Sequence, residues 1–460
     1  MYRFSTYKAQ YKENLKLALP VVFTQLGQIL VQFADNVMVG RYGGEDALPL
    51  AAVSFGNSVF FLFFIAAIGI TFGLTPLVGE LFAQKQEKRL VELFQSGLRL
   101  YLAIGVVASL LLWLFVPALY FMGQPREVVD MAIPYYRYLM YSMPFTMLFF
   151  SSKQLLEGLG NTRAQMAATI LCNGLNILLN WIFIYGKFGF REMGAEGAGL
   201  ATFLARALLP LLMFGYMYYR SHYRIYFREF RLFGWSEADT KTLLKIGLPI
   251  SAQVFLESSA FVFVGIMMGW FGTVAISANQ ITTTIANAAF NIVMAVGVAS
   301  TIRISHSFGA RNCNQIALAA KSSYHLAILW NTFAALLFIL YRYEIAHLFT
   351  SNPEVIELTA RMMPFIALFQ LSDGIQNVSV GVLRGLQDVK VIMPIAFVAY
   401  VVLNLPIGYL LGFTLGMGPV GLILSFTVGL TTAAILMILR IRQRMRTLHK
   451  AFAEETLAMQ

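Results

Sequence analysis

Charge is scarce in this chain: Asp, Glu, Lys and Arg make up 12% of its 460 residues, against 58% hydrophobic ones. That balance gives more apolar surface than one soluble core could bury, and the apolar runs repeatedly reach the ~20 residues a spanning helix needs. The chain therefore reads as an all-α polytopic membrane protein. Cysteine is nearly absent. Cys172 falls in a predicted span and Cys313 in a predicted inner loop, neither beside His, Asp or Glu at ligand spacing, so no disulfide and no metal site is expected. The five histidines form no ligand cluster within the spans, His306 lying near an inner loop, and no nucleophile set accompanies them. A membrane-embedded enzyme is not expected on that ground, and neither is a cofactor. No cleavable leader is expected either: the charged start MYRFSTYKAQYKENLK is followed by a long, polar-striped apolar segment without a small-residue cleavage site, which reads as a retained first helix.

What is present is a series of about twelve apolar runs bounded by charge, Gly and Pro. They lie near 15–40, 50–77, 95–121, 132–157, 164–186, 195–219, 242–270, 277–302, 318–341, 358–383, 392–413 and 417–440. An even number puts both termini on one side. Arg3, Lys8, Lys12, Lys16, Lys85, Lys88, Arg89, Arg220, Arg224, Arg228, Arg231, Arg440, Arg442, Arg444 and Arg446 all fall on that side, which the positive-inside rule makes cytoplasmic. A multi-pass protein of the inner (cytoplasmic) membrane with both termini inside is expected. The net charge of +11 is then topology and lipid headgroup contact, with no nucleic-acid partner.

The chain also repeats itself. KLALP at Lys16–Pro20 returns as KIGLP at Lys245–Pro249, and NVMVG at Asn36–Gly40 returns as GIMMG at Gly265–Gly269. MPF recurs at 143–145 and 363–365, LEGLGN at 156–161 pairs with LRGLQD at 383–388, and LLN ending at Asn180 pairs with VLN ending at Asn404. Two six-helix lobes related by a pseudo-two-fold axis along the membrane normal follow, a pairing that usually encloses a central pathway. The expected division is an N-lobe over 1–225, a basic linker over 226–241, a C-lobe over 242–441 and a cytoplasmic tail over 442–460.

Ionisable groups inside such spans cost several kcal/mol unless they face water or a partner, so each one needs a reason. Asp35 lies on a helical stripe with Gln25, Gln28 and Gln32. In the fifth span Asn173, Asn176 and Asn180 share a face, and both Asn180 and Asp35 lie about five residues before an outer end, roughly 7–8 Å deep, where they could meet. Thr202 on the sixth span is near that depth. A carboxylate with amide and hydroxyl oxygens suits a proton or a hard cation such as Na⁺; an Asp35–Arg206 ion pair is the structural alternative. In the second half Glu257 and Asp373 approach the midplane from opposite directions, extended by Gln253, Gln376 and Asn377, while Gln280, Thr284, Asn287 and Asn291 form another stripe. Two carboxylates there could carry a proton, require a cation, or simply line a hydrated cavity. Gln32, Gln280, Asn287, Gln253 and Gln376 are the expected cleft-lining residues.

FADNVMVG around Asp35, LNILLNWIFIYGKFG from Leu175 to Gly189 with GAEGAGLAT after it, and SVGVLRGLQD from Ser379 to Asp388 resemble the multidrug and toxic compound extrusion (MATE) transporters, most closely the NorM type. The resemblance covers nearly all of both halves. It implies the MATE fold and a secondary active antiporter that exports organic cations, often aromatic drugs, in exchange for Na⁺ or H⁺ by rocking of two lobes. Residue by residue it implies an N-lobe cation or proton site at Asp35, Asn176, Asn180 and Thr202, and C-lobe cation-binding acids at Glu257 and Asp373. One departure is Phe369, at a position one turn before Asp373 where NorM-type members can carry a Tyr. Phe33, Phe261 and Phe290 are candidate stacking residues, set against a background of 39 Phe. The expected partners are small organic cations, the coupling ion and membrane lipids, with the protein working as a monomer. The rival reading is a flippase of lipid-linked saccharides, a related architecture that would favour several cavity cations where this chain has chiefly Arg206 and Lys153 at midspan.

Overall fold

The computed structural model describes residues 4–43, 48–227 and 234–458. Residues 228–233 of the expected linker, with Arg228 and Arg231, lie outside the described residues, as do Arg3 and the last two residues of the tail. Among the described residues there is no strand. The long helices are α1 (Phe4–Gly43), α2 (Leu48–Thr71), α3 (Glu87–Phe115), α4 (Arg126–Gly158), α5 (Arg163–Tyr185), α6 (Ala195–Tyr219), α7 (Glu237–Gly269), α8 (Thr273–Gly309), α9 (Cys313–Leu340), α10 (Pro353–Gly385), α11 (Ile392–Thr414) and α12 (Pro419–Ala458). Short helical pieces at Leu74–Ala83 and Val116–Phe121 continue α2 and α3. Each expected span lies within one of these stretches to a residue or two. Eleven are long and apolar enough to cross a bilayer, making this a multi-pass membrane protein. The other long helix, α4, is interrupted by Arg126, Glu127, Asp130, Arg137, Lys153 and Glu157.

The chain forms two compact units. Unit 1 contains Met1–Val22, Phe82–Lys85 and Ala252–Gln460; unit 2 contains Phe23–Leu81 and Gln86–Ser251. The divisions fall inside α1 and α7, so each of these helices contributes to both units. From 22 to 251, as from Lys16 to Lys245, is 229 residues, so the two divisions fall at equivalent points of the repeat.

Each unit is organised on the fourth long helix of one half of the chain. In unit 2, α4 packs against α2, α3 and α6; in unit 1, α10 packs against α8, α9 and α12. Both carry the MPF proline inside the helix, Pro144 and Pro364. A proline removes one backbone bond and is tolerated in spanning helices because neighbouring groups re-satisfy the freed carbonyl. Small residues set the approach, as membrane bundles favour where apolar burial alone gives no preference between lipid and protein. A Cβ on Gly105 of α3 would lie 2.8 Å from Pro144 Cα and 2.9 Å from Met147 Cγ, and one on Gly199 of α6 would lie 3.0 Å from Tyr135 Cα. In unit 1 the start of α1 rests on α8 through Ala18, Val21, Ala295 and Ala299. It is fixed there by Arg303, which donates to the Gln10 carbonyl at 3.1 Å and to Asn14 Oδ1 at 2.7 Å.

The described part of the linker is docked within unit 2. Gln95 donates to the Tyr226 carbonyl at 3.2 Å, Arg99 donates to the Gly234 carbonyl, and the buried Asp239 carboxylate takes Arg89 and, at 3.2 Å, Ser96.

Gly105→Leu should force α3 off α4 at an overpacking cost of about 1–3 kcal/mol. Thermal unfolding in detergent should show a lower Tm for this variant, whereas Gly174→Ala, at a position with open space around it, should leave Tm unchanged or raised. Equal Tm values for the two would contradict the packing described.

Candidate functional site

Unit 2 builds its cluster from α1 and α5. Asn176 and Asn180 are one turn apart on α5, so their amides share a face, and both are buried. Asn180 Nδ2 donates to Asp35 Oδ1 of α1 and, at 3.2 Å, to Asn176 Oδ1. Further along the two helices, the Tyr185 hydroxyl donates to the Met38 carbonyl at 2.9 Å, and the Tyr42 and Tyr185 rings meet edge-on at 6.3 Å. α5 then stops at Gly186, whose φ of 62° and a Cβ position 2.8 Å from Glu192 N leave room only for glycine. The meeting of Asp35 with Asn180 expected from their depth is present.

Thr202 does not join this contact. Its hydroxyl donates to the Ala198 carbonyl of its own helix at 2.9 Å. Nor does Arg206 form an ion pair with Asp35 among the described residues: its guanidinium lies over the rings of Phe60 at 5.0 Å and Phe64 at 5.6 Å, and Nη1 donates to Ser142 Oγ at 3.1 Å. Both Arg206 and Tyr135 remain within electrostatic range of Asp35. Because aromatic faces and a hydroxyl hold the guanidinium, the carboxylate is left without a matched cation. It presents oxygen together with Asn176 and Asn180 amides, a donor set that fits a proton or a hard cation.

Unit 1 places Glu257 of α7 beside Gln253, whose Nε2 donates to Glu257 Oε2 at 2.6 Å; Gln253 Oε1 in turn accepts from Arg384 Nη2 of α10 at 2.9 Å. Arg384 and Asp373 are both within electrostatic range of Glu257. The Tyr400 hydroxyl and the Gln376 amide border Glu257, although neither closes a well-aligned hydrogen bond. Tyr400 comes from α11, where the backbone widens to π-helix over Phe397–Asn404 and Leu410–Thr414 around Pro406, a residue with no N–H to continue the α ladder. Phe369 lies in an aromatic stack instead, its ring 5.9 Å from Phe426, which stacks on Phe261 at 4.4 Å. The phenol that stands near Glu257 is that of Tyr400.

Other expected residues make no hydrogen bond to the carboxylates among the described residues. Gln32 and Phe33 are exposed on α1, and Gln280 and Asn287 are exposed on α8. Thr284 and Asn291 donate at 2.7 Å to the Gln280 and Asn287 carbonyls of that same helix. Conversely, Arg384, Tyr400 and Tyr135 are at the clusters without having been picked out in the sequence. Arg384 had a signal there: eleven residues after Asp373 is three helical turns, which returns it to the same face. Among the described residues no three His, Cys, Asp or Glu side chains come together in metal-binding range.

The MatE family model matches the chain over residues 20–182 and again over 249–410, the two starts being 229 residues apart, as KLALP and KIGLP are. Together these matches span well over half of the chain. The chain belongs to the MatE family. Among curated relatives, this MatE protein is similar to the Multidrug resistance protein NorM of Photobacterium profundum, with 32% identity over 444 residues, covering 95% of this chain and 96% of that one. Its fold is that of a multidrug resistance MATE family transporter of the MOP superfamily in an outward-facing conformation, at 23% identity with a TM-score of 0.86 and coverage of 96% and 97%. A MOP superfamily transporter from Pyrococcus furiosus, for which reverse polarity of the binding pocket suggests a different function, shares the fold at 21% identity with a TM-score of 0.84 and coverage of 96% and 97%.

In this MatE protein Arg384→Met should remove the donor to Gln253 and a cation within electrostatic range of Glu257, which itself lies within electrostatic range of the buried Asp373. We expect a loss of about 1.5–3 kcal/mol, partly recovered as pH falls and the acids protonate. Thermal unfolding across pH would show this, and a Tm equal to wild type at neutral pH would contradict the assignment.

Proposed function

We propose that this chain is a secondary active multidrug exporter that moves organic cations, chiefly aromatic ones, out of the cell in exchange for Na⁺ or H⁺. The observation that carries the reading is Asp35: a half-buried carboxylate in a spanning helix, hydrogen-bonded by Asn180 and left without an ion-pair partner among the described residues. Such a group is costly to retain in a membrane segment unless its charge is used. The multidrug name of the relative at 32% identity supports the substrate class.

In this reading the two halves rock so that a substrate pathway opens alternately to either side, with both termini in the cytoplasm. Uptake of H⁺ or Na⁺ from outside neutralises Asp35 or the Glu257–Asp373 pair and weakens retention of a cationic substrate, which leaves outward. Release of the ion inside restores the negative charge that attracts the next cation. The exchange follows from electrostatic competition for one carboxylate, which cannot favour both cations at once.

Reconstituted protein should drive a fluorescent lipophilic cation against its gradient when a pH or a Na⁺ gradient is imposed. Asp35→Asn should retain folding and insertion yet lose coupled transport by roughly tenfold or more, equivalent to about 1.4 kcal/mol. Near-wild-type coupled export by Asp35→Asn would remove it from the mechanism, and no transport by the wild type under either gradient would favour the lipid-linked saccharide flippase.

A further inference from the structure

A second carboxylate in unit 2 has no part in the exchange just described. Glu157, in the last turn of α4, is 3% exposed, with Lys153 Nζ 3.9 Å from its Oε1; that ammonium also lies 5.0 Å from the centre of the Phe150 ring. Glu157 Oε1 accepts from Gln165 Nε2 at 2.8 Å. Gln165 opens α5, the helix whose far end holds Asn180 against Asp35.

Between those ends the same face of α5 is polar throughout. Gln165, Thr169, Asn173, Asn176 and Asn180 occur at steps of four, four, three and four residues, which keeps them within an arc of about 80° over a rise of about 22 Å. Most of a hydrocarbon core is that thick. Gln165, Thr169, Asn176 and Asn180 are buried, whereas Ile170, Leu171, Leu178 and Trp181 on other faces of the helix are exposed. Four atoms of the polar face, Gln165 Oε1, Thr169 Oγ1, Asn173 Nδ2 and Asn180 Oδ1, are buried without a hydrogen-bond partner. The interhelical hydrogen bonds of Gln165 and Asn180 leave these four atoms unused, so they do not account for the whole stripe. α1 crosses it at Gly27, where a Cβ would lie 2.9 Å from Asn173 Nδ2, so a larger residue there would press on that amide. Rungs one turn apart are about 6 Å from each other along the axis, a gap that one water closes with two hydrogen bonds.

We propose that this face of α5 is a water-bridged ladder that carries the proton from Asp35 to Glu157 once Asp35 has closed to the outside, so that no proton crosses without an exchange. It rests on the reading of Asp35 as a coupling group and adds a route to the opposite end of the unit. Protonated Asp35 releases its proton to water beside Asn180. The proton passes through waters held by Asn176, Asn173, Thr169 and Gln165, and the Glu157 carboxylate accepts it before releasing it to water at the end of α4. One proton enters and one leaves, and both carboxylates are regenerated. The charged and titratable groups facing the two ends are Arg206 and Tyr135 at Asp35, and Lys153 at Glu157.

The test uses full-length protein in vesicles, with the initial rate of pH-driven export of a fluorescent lipophilic cation as one readout and the Kd for that cation in detergent as the other. Thr169→Val and Glu157→Gln should each lower the pH-driven rate roughly tenfold or more, as expected for an impaired proton transfer, with Kd unchanged within about twofold. Thr169→Ser, which restores the hydroxyl, should recover the rate; a structural role for Thr169 would instead alter Kd. Should Thr169→Val fail to fold, Gln165→Met interrupts the ladder at the next rung and carries the same expectation. The ladder alone is overturned when the wild type is driven by a pH gradient and Asp35→Asn is inactive, yet Thr169→Val and Glu157→Gln keep more than half the rate. A wild type driven by Na⁺ and not by pH also overturns it while the antiport reading stands, and a wild type driven by neither removes both.

Discussion

Placing a charge or an amide among apolar helices costs several kcal/mol unless the protein itself supplies the partner that water would have been. Both units are arranged around that requirement. Arg206 is held by two phenyl rings that it lies over and by the Ser142 hydroxyl, Arg303 by the Gln10 carbonyl and Asn14, and Arg384 by Gln253. The acids are met chiefly by amides, Asp35 by Asn180 and Glu257 by Gln253. An amide satisfies an oxygen without cancelling its charge, so these carboxylates keep the capacity to take up a proton or a cation. Asp239, at the start of α7 and joined to Arg89, shows the contrasting solution, a matched pair that has no charge left to exchange.

The packing serves the same requirement. Partners can meet only where backbones come close, and glycines at α3–α4, α4–α6 and α8–α10 set those distances. Where a regular helix would not deliver the side chain, the backbone departs from it: the π-helical stretch before Pro406 in α11 carries Tyr400 beside Glu257 and lets Asn404 accept from Ser425 at 2.6 Å. The prolines of α4 and α10 occupy corresponding places in the two repeats, on the helix that most of each unit packs around.

The spans could be read from the sequence because hydropathy over ~20 residues is a property of the segment itself. α4 is the weakest of them for the same reason, since its charges and prolines answer to neighbours. The Asp35–Asn180 contact was legible from depth along two helices, as both residues lie near helix ends. Periodicity gives a face but does not say which helix that face meets. The stripe of Gln280, Thr284, Asn287 and Asn291 shows this: it is largely exposed, and Thr284 and Asn291 bond to its own backbone. Thr202 shares Asp35's approximate depth but turns its hydroxyl to Ala198. Arg384 and Tyr400 reach Glu257 through helix crossings and a π-helical backbone, neither of which hydropathy records. The division of α1 at Val22 and of α7 at Ser251 is invisible for a related reason: one continuous helix can serve two units without any break in its pattern.

The central claim is that one set of carboxylates serves substrate and ion in turn, so that neither moves without the other. The direct measurement is the reverse of an ion-driven assay: vesicles containing the protein, no ion gradient, and a steep gradient of a lipophilic cation, with internal pH and radioactive Na⁺ followed together. By linkage the cation gradient should push H⁺ or Na⁺ in the opposite direction, in proportion to substrate moved. Substrate flowing down its gradient while both ions stay still would contradict the account.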